Sequence, residues 1–259
     1  MTATATSAYW AVSDTATMIG RSVRRSVRNL DSLLMAVALP VLLMLMFVYV
    51  FGGALDPGGN YVDYVVPGII LLCTGYGAAL TALDIAGDVS AGVVDRFRSL
   101  PIASSAVLTG HVVASVARNA FSTALVIAVA YLTGFRPTAG LAGWLGAAAV
   151  LLLFVLALTW LSVFFGLLVR TVEAANGVTF LVLFLPYLSS AFVPIDTMPG
   201  ALQPITEHQP ITPVADTLRG LLLGTPIGSS AWLAVAWCGG LLVVSYVAAA
   251  ALFRRRTAR

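Results

Sequence analysis

The 259 residues are 59% hydrophobic and only 10% charged, with a formal net charge of +3. A soluble domain carries about 25% charged residues, so this composition excludes a water-soluble fold for the chain. All 14 basic residues are arginine, and they are not gathered into one groove-sized patch, which argues against nucleic-acid binding.

The apolar excess is collected in continuous runs of about 20 residues, the length at which a helix crosses about 30 Å of hydrocarbon. The runs do not alternate in polarity as barrel strands would, and a helix satisfies its own backbone in lipid. The expected fold is all-α: a polytopic membrane protein with six transmembrane helices, an N-terminal amphipathic interfacial helix and a re-entrant segment between helices 5 and 6. Residues 1–259 read as a single transmembrane domain.

Residues 1–8 are small and polar, and a disordered tail is expected there. Over residues 9–29, Arg21, Arg24, Arg25 and Arg28 recur at helical spacing on one face, with Tyr9 and Trp10 at the start. That pattern predicts a cytoplasmic interfacial helix lying in the headgroup layer. The polar start and the length of the first apolar run are not those of a cleavable signal. Transmembrane spans are predicted at 33–51, 64–86, 110–132, 141–169, 178–193 and 231–253. The second has a small-residue face, Gly68, Gly75, Gly77 and Ala78, that permits close helix packing. The fifth is short and contains Pro186. Residues 194–230 carry six prolines and an apolar piece, Val214 to Leu223, too short to span; an extracellular or re-entrant segment is expected.

Six spans place both termini on one side. The segments then expected inside hold twelve arginines: Arg21, Arg24, Arg25, Arg28, Arg96, Arg98, Arg118, Arg170, Arg254, Arg255, Arg256 and Arg259. The outside holds only Arg136 and Arg219. This bias satisfies the positive-inside rule and predicts cytoplasmic N- and C-termini in the cell membrane.

Few residues could carry chemistry. Cys73 and Cys238 fall within apolar runs and read as small buried hydrophobes. His111 and His208 are far apart in sequence, and no metal site is expected. A phosphate loop of the GxxxxGK[ST] type is impossible without lysine, so no cofactor is expected in this chain. Asp84 and Asp88 lie near the inner end of the second span, and Arg118 with Asn119 near the inner start of the third. Ionisable groups in lipid face the bundle interior or pair, so an Asp84–Arg118 or Asp88–Arg118 pair is expected as an intramembrane brace. A proton relay is the weaker reading, because no midplane carboxylate chain accompanies these groups.

The compact charged stretch from Gly92 to Leu108, GVVDRFRSLPIASSAVL, must lie at the water interface between the second and third spans. Its core, Val94 to Ile102, resembles the cytoplasmic loop of type-2 ATP-binding-cassette (ABC) transporter permeases, with closest similarity to the daunorubicin/doxorubicin-resistance exporter branch. Further resemblances follow in order: Val169 to Gly177; Leu188 to Pro194 with Met198-Pro199; and Glu207-His208-Gln209-Pro210 with Thr212-Pro213 and Leu218-Arg219.

The resemblance implies the membrane subunit of an ATP-driven exporter, itself not an enzyme. It implies a second permease copy, as homodimer or heterodimer, and two copies of a separate ABC ATPase that bind ATP and Mg. By match, the ATPase-coupling loop falls on Asp95, Arg96, Phe97, Arg98, Ser99, Leu100 and Pro101, with a second cytoplasmic contact at Arg170 and Glu173. A short charged loop suits specific ion pairs with a soluble partner. The expected cargo is an amphipathic or hydrophobic compound, such as a drug, antibiotic, secondary metabolite or lipid, and no substrate-binding residue is assigned. Spans one, two and five are the expected pathway lining by analogy. The alternatives are an exporter of lipid-linked polysaccharide and an ion-coupled secondary carrier; the latter would need midplane carboxylates and an internal inverted repeat.

Overall fold

A computed structural model describes residues 20, 24, 30–55, 61–92, 104–169 and 171–257. The expected tail and most of the expected interfacial helix lie outside the described residues. Those described form helices, turns and short irregular connections, with no strand among them.

The first helix, α1 (Leu30–Leu45), runs on into a π-helical stretch, Met46–Phe51, and a last α-turn, Gly52–Leu55. Then come α2 (Tyr61–Ser90), α3 (Ser104–Leu132) and α4 (Leu141–Leu168). The shorter α5 (Val172–Phe184) ends in a 3-10 turn, Leu185–Leu188. A 3-10 turn at Ile195–Thr197 and the small α6 (Gln203–His208) lead to α7 (Ile211–Leu223), and α8 (Ser230–Thr257) closes the chain.

Helix α2 is the axis of the bundle. It touches α1, α3, α4, α5 and α7. Its most apolar stretch is 78% buried within the protein, against 22% for the corresponding stretches of α1 and α8. Glycine makes this crowding possible. A Cβ on Gly68 would sit 2.5 Å from the carbonyl oxygen of Ala191, and one on Gly77 would collide with the Asn119 amide. Where neighbouring lipid is as apolar as leucine, such close backbone approach is a main source of helix association.

Among the described residues, five helical stretches are long and apolar enough to cross a membrane: Ala36–Ala54, Tyr61–Ser90, Leu108–Leu132, Leu141–Leu168 and Ser230–Arg255. Where the sequence predicts a fifth span at 178–193, the structure has a shorter apolar helix over Val172–Leu188. Two local causes set its limits. The Thr171 hydroxyl accepts a hydrogen bond from the Ala174 amide at 3.2 Å and starts α5 early. Pro186 has no N–H to donate and falls where the α-helix gives way to the 3-10 turn. The 13 residues of α5 rise about 20 Å, short of the about 30 Å hydrocarbon core.

The proline-rich region holds α7, which is strongly amphipathic. Ile211, Val214, Ala215, Leu218 and Leu222 are buried against α2, α4 and α8. Gly224 ends it in the left-handed conformation at φ 73°, a position that favours glycine. The Leu222 carbonyl then accepts hydrogen bonds from the amides of Thr138 and Ala139, at 3.0 and 3.1 Å, which ties α7 to the turn between α3 and α4.

Candidate functional site

Among the described residues, polar side chains gather at two places, one towards each end of α2. The first lies towards the α2–α3 junction. Residues 84 and 88 are four apart on α2, and residues 111 and 118 are seven apart on the antiparallel α3, so each pair shares one helical face. Arg118 is buried in this seam. Its Nη2 donates to the Gly77 carbonyl at 2.9 Å and to Thr81 Oγ1 at 3.0 Å. Its Nη1 lies 3.5 Å from Asp84 Oδ2. The neutral contacts are the shorter ones, and the Asp84 side chain is 37% exposed against 5% for Arg118. The arginine is therefore held chiefly by α2's own backbone and hydroxyl, with the carboxylate at the rim.

Asp88 lies against His111, with Oδ2 3.2 Å from the ring Nε2. The sequence reading gives His111 no role. The signal that could find it is the seven-residue step back from Arg118, which sets it opposite the second carboxylate of an antiparallel neighbour. Deeper in the bundle, Asn119 Nδ2 donates to the Ser115 carbonyl at 3.0 Å, and the Ser115 and Thr159 hydroxyls meet at 3.1 Å. These bonds extend the seam from α3 to α4.

The segment that joins α2 to α3 leaves from this braced end. The expected coupling residues Asp95, Arg96, Phe97, Arg98, Ser99, Leu100 and Pro101 lie outside the described residues, as does Arg170. Glu173 is exposed in the first turn of α5, where a carboxylate interacts favourably with the positive end of the helix dipole. Among the described residues, no three or more histidine, cysteine, aspartate or glutamate side chains are placed to hold a metal ion.

The second polar centre lies towards the opposite end, and the sequence does not mark it as a unit. Arg219 on α7 sits 3.9 Å over the ring of Tyr64 on α2, within cation–π range. Its Nη1 donates to Asp216 Oδ1 at 2.7 Å and its Nη2 to the Ser190 carbonyl at 3.0 Å. That carbonyl also accepts from the Tyr64 hydroxyl at 2.7 Å, and Ser190 Oγ donates to Asp216 Oδ1 at 2.8 Å. Tyr61 reaches the Phe192 carbonyl at 2.9 Å. This clasp binds three chain segments: the start of α2, the bend after α5, and α7. Its one legible trace in sequence is the Asp216–Arg219 spacing, which puts both charges on one face of a helix.

An aromatic series connects α5 to α1 beside this clasp. Phe180, Phe184 and Tyr187 follow one another at ring separations of 5.3 and 5.9 Å. Tyr187 stacks on Phe192 at 5.2 Å, and Phe192 stacks at 4.8 Å on Phe47, in the π-helical stretch that continues α1.

Residues 13–223 match the ABC-2 type transporter family. The chain belongs to that family. Among similar ABC permeases is the daunorubicin resistance ABC transporter permease protein DrrB1 of Streptomyces coeruleorubidus. It is 31% identical over 250 residues, 96% of this chain and 88% of that protein. A Mycobacterium tuberculosis protein described as "probable doxorubicin resistance ABC transporter permease protein DrrC" is 26% identical over 248 residues, 94% of this chain and 89% of its own. This chain is thus a multi-pass membrane permease subunit of an ABC transporter, and the family implies an ABC ATPase as its partner.

Proposed function

We propose that this permease exports amphipathic or hydrophobic compounds, of the kind that drug-resistance relatives are named for, with energy from ATP and Mg bound in a separate ATPase. The observation that carries the cargo class is the exposed aromatic series on α5. Phe180 is 62%, Phe184 52% and Tyr187 37% exposed, and the series continues through Phe192 to α1. Such a surface offers flat apolar contacts and no fixed charge, which suits an apolar ring system and not an ion. It lies on spans one and five, which the sequence reading takes for the pathway lining together with span two.

The working unit in this reading is two permease copies with two ATPase copies. The short Val172–Leu188 helix serves as a sixth span, and both termini face the cytoplasm. The loop from Asp95 to Pro101 docks into the ATPase, with Arg170 and Glu173 as a second contact. The contacts of Arg118 with Gly77 and Thr81, and the His111–Asp88 pair, brace α2 against α3, so a push on the loop moves both helices together and does not dissipate in one.

The test is reconstitution with the co-expressed ABC ATPase in nanodiscs. Daunorubicin should raise ATP turnover in the wild-type complex. D95A/R98A should abolish that stimulation or dissociate the ATPase. Phe184→Ala should reduce stimulation while leaving the complex intact. Failure of any ABC ATPase to associate would reopen the ion-coupled reading.

A further inference from the structure

Alanines take the place of large side chains where α3 faces α4. Ala120 and Ala124 on α3 oppose Ala147 and Ala148 on α4, and a cavity of about 300 Å3 remains between the helices. Its walls extend from Val116 to Ile127 on α3 and from Trp144 to Val155 on α4. Eleven helical rises make about 16 Å, close to half of the about 30 Å hydrocarbon core. Leu218 and Leu222 of α7 and Ile70 of α2 also line it, and no lining residue is charged. Ala120, Ala124, Ala148 and Leu152 are exposed, so the cavity opens sideways onto an apolar face of the bundle.

We infer that this cavity is a lipid site that takes one acyl chain of a phospholipid from the leaflet nearer the α3–α4 turn. Two observations select that occupant. The length matches one leaflet, with Trp144 at the end nearest the turn, where an indole suits the interface. The lining excludes a charged ligand, because nothing in it would compensate a desolvated charge. The acyl chain rests on Leu218 and Leu222, the apolar side of the helix whose polar side carries Asp216 and Arg219. It is a structural lipid, separate from the transported compound.

The test is photolabelling of the intact permease in phosphatidylcholine nanodiscs doped with phosphatidylcholine that carries a diazirine in one acyl chain, read by peptide mass spectrometry. Label is expected on wall residues such as Thr123, Ala147 and Leu151, as well as on Val243 and Val244 of α8, which are 62% and 67% exposed. A124L/A148L should reduce wall labelling to background and leave the α8 labels unchanged. Both substitutions are at the exposed mouth and need no repacking of the interior; A148L alone is the readout should the pair not purify as a monodisperse protein. Label confined to exposed faces, or wall labelling that filling the mouth does not alter, would overturn the inference. So would a wall labelled by a photoreactive apolar drug but not by the lipid, which would assign the cavity to cargo. The measurement needs neither ATP nor transport, so its failure leaves the exporter reading standing.

Discussion

Arg118 reaches two neutral acceptors on α2 before it reaches a carboxylate, and this asymmetry sets what each substitution costs. Replacing Arg118 by Met removes the charge and both of its contacts to α2, and takes a buried partner from the Thr81 hydroxyl; the Gly77 carbonyl keeps its place in the helical hydrogen-bond ladder. A loss of about 1–3 kcal/mol is expected in unfolding from mixed micelles, the range for losing buried hydrogen-bond partners. Asp84→Asn should cost less than about 1 kcal/mol, because the carboxylate is partly exposed and a solvated pair is worth little. Equal losses in the two variants would show that the ion pair, and not the carbonyl and hydroxyl contacts, holds the helix. Two glycines on α2 make a second contrast. Gly77→Ala must displace the Asn119 amide and should destabilise by about 1–3 kcal/mol. Gly87→Ala meets nothing within 4 Å and should be neutral or stabilise by about 0.5 kcal/mol through helix propensity. The same measurement on both variants checks the opposite signs.

Short helices α5 and α7 owe their limits to single residues, and so their ends are where local stability can be read. Thr171→Ala removes the hydroxyl that accepts the Ala174 amide and should cost about 1 kcal/mol. Hydrogen exchange at the first turn of α5 should quicken while exchange in α2 stays unchanged. Quickening in both helices would mean that the cap supports the whole bundle. The clasp around Arg219 works between elements. Arg219→Met should speed exchange over 189–193, since the Ser190 carbonyl then keeps only the Tyr64 hydroxyl as a side-chain partner. Helix α7 should stay folded, because its buried apolar face is untouched. These limits are hard to read from sequence. The apolar run points to a span at 178–193, but a cap and a proline decide where helix begins and ends, and each acts through one hydrogen bond that hydropathy averages away.

For the whole molecule the open quantity is topology, and the reading with both termini cytoplasmic makes a direct prediction. A cysteine at Thr138, in the α3–α4 turn, should react with an impermeant maleimide on intact cells, and one at Thr257 only after permeabilisation. Native Cys73 and Cys238 are buried and should contribute little background. Labelling of Thr257→Cys on intact cells would leave the termini on the outer side. The all-helical membrane class was legible from sequence alone, because lipid offers no hydrogen-bond partners and so forces the backbone into long apolar helices. Family membership was legible too, from short charged and proline-bearing segments that keep their order between those helices. Composition and spacing could also place Asp84, Asp88 and Arg118 near one another on neighbouring faces. They could not say that Asp88 lies against His111, that Arg219 on α7 stacks on Tyr64, or that α2 is the buried axis. Those facts depend on which side chains meet across helices distant in sequence. Only the tertiary structure decided them, because in lipid every span is apolar and the choice of neighbour falls to close packing at glycine and to a few polar contacts.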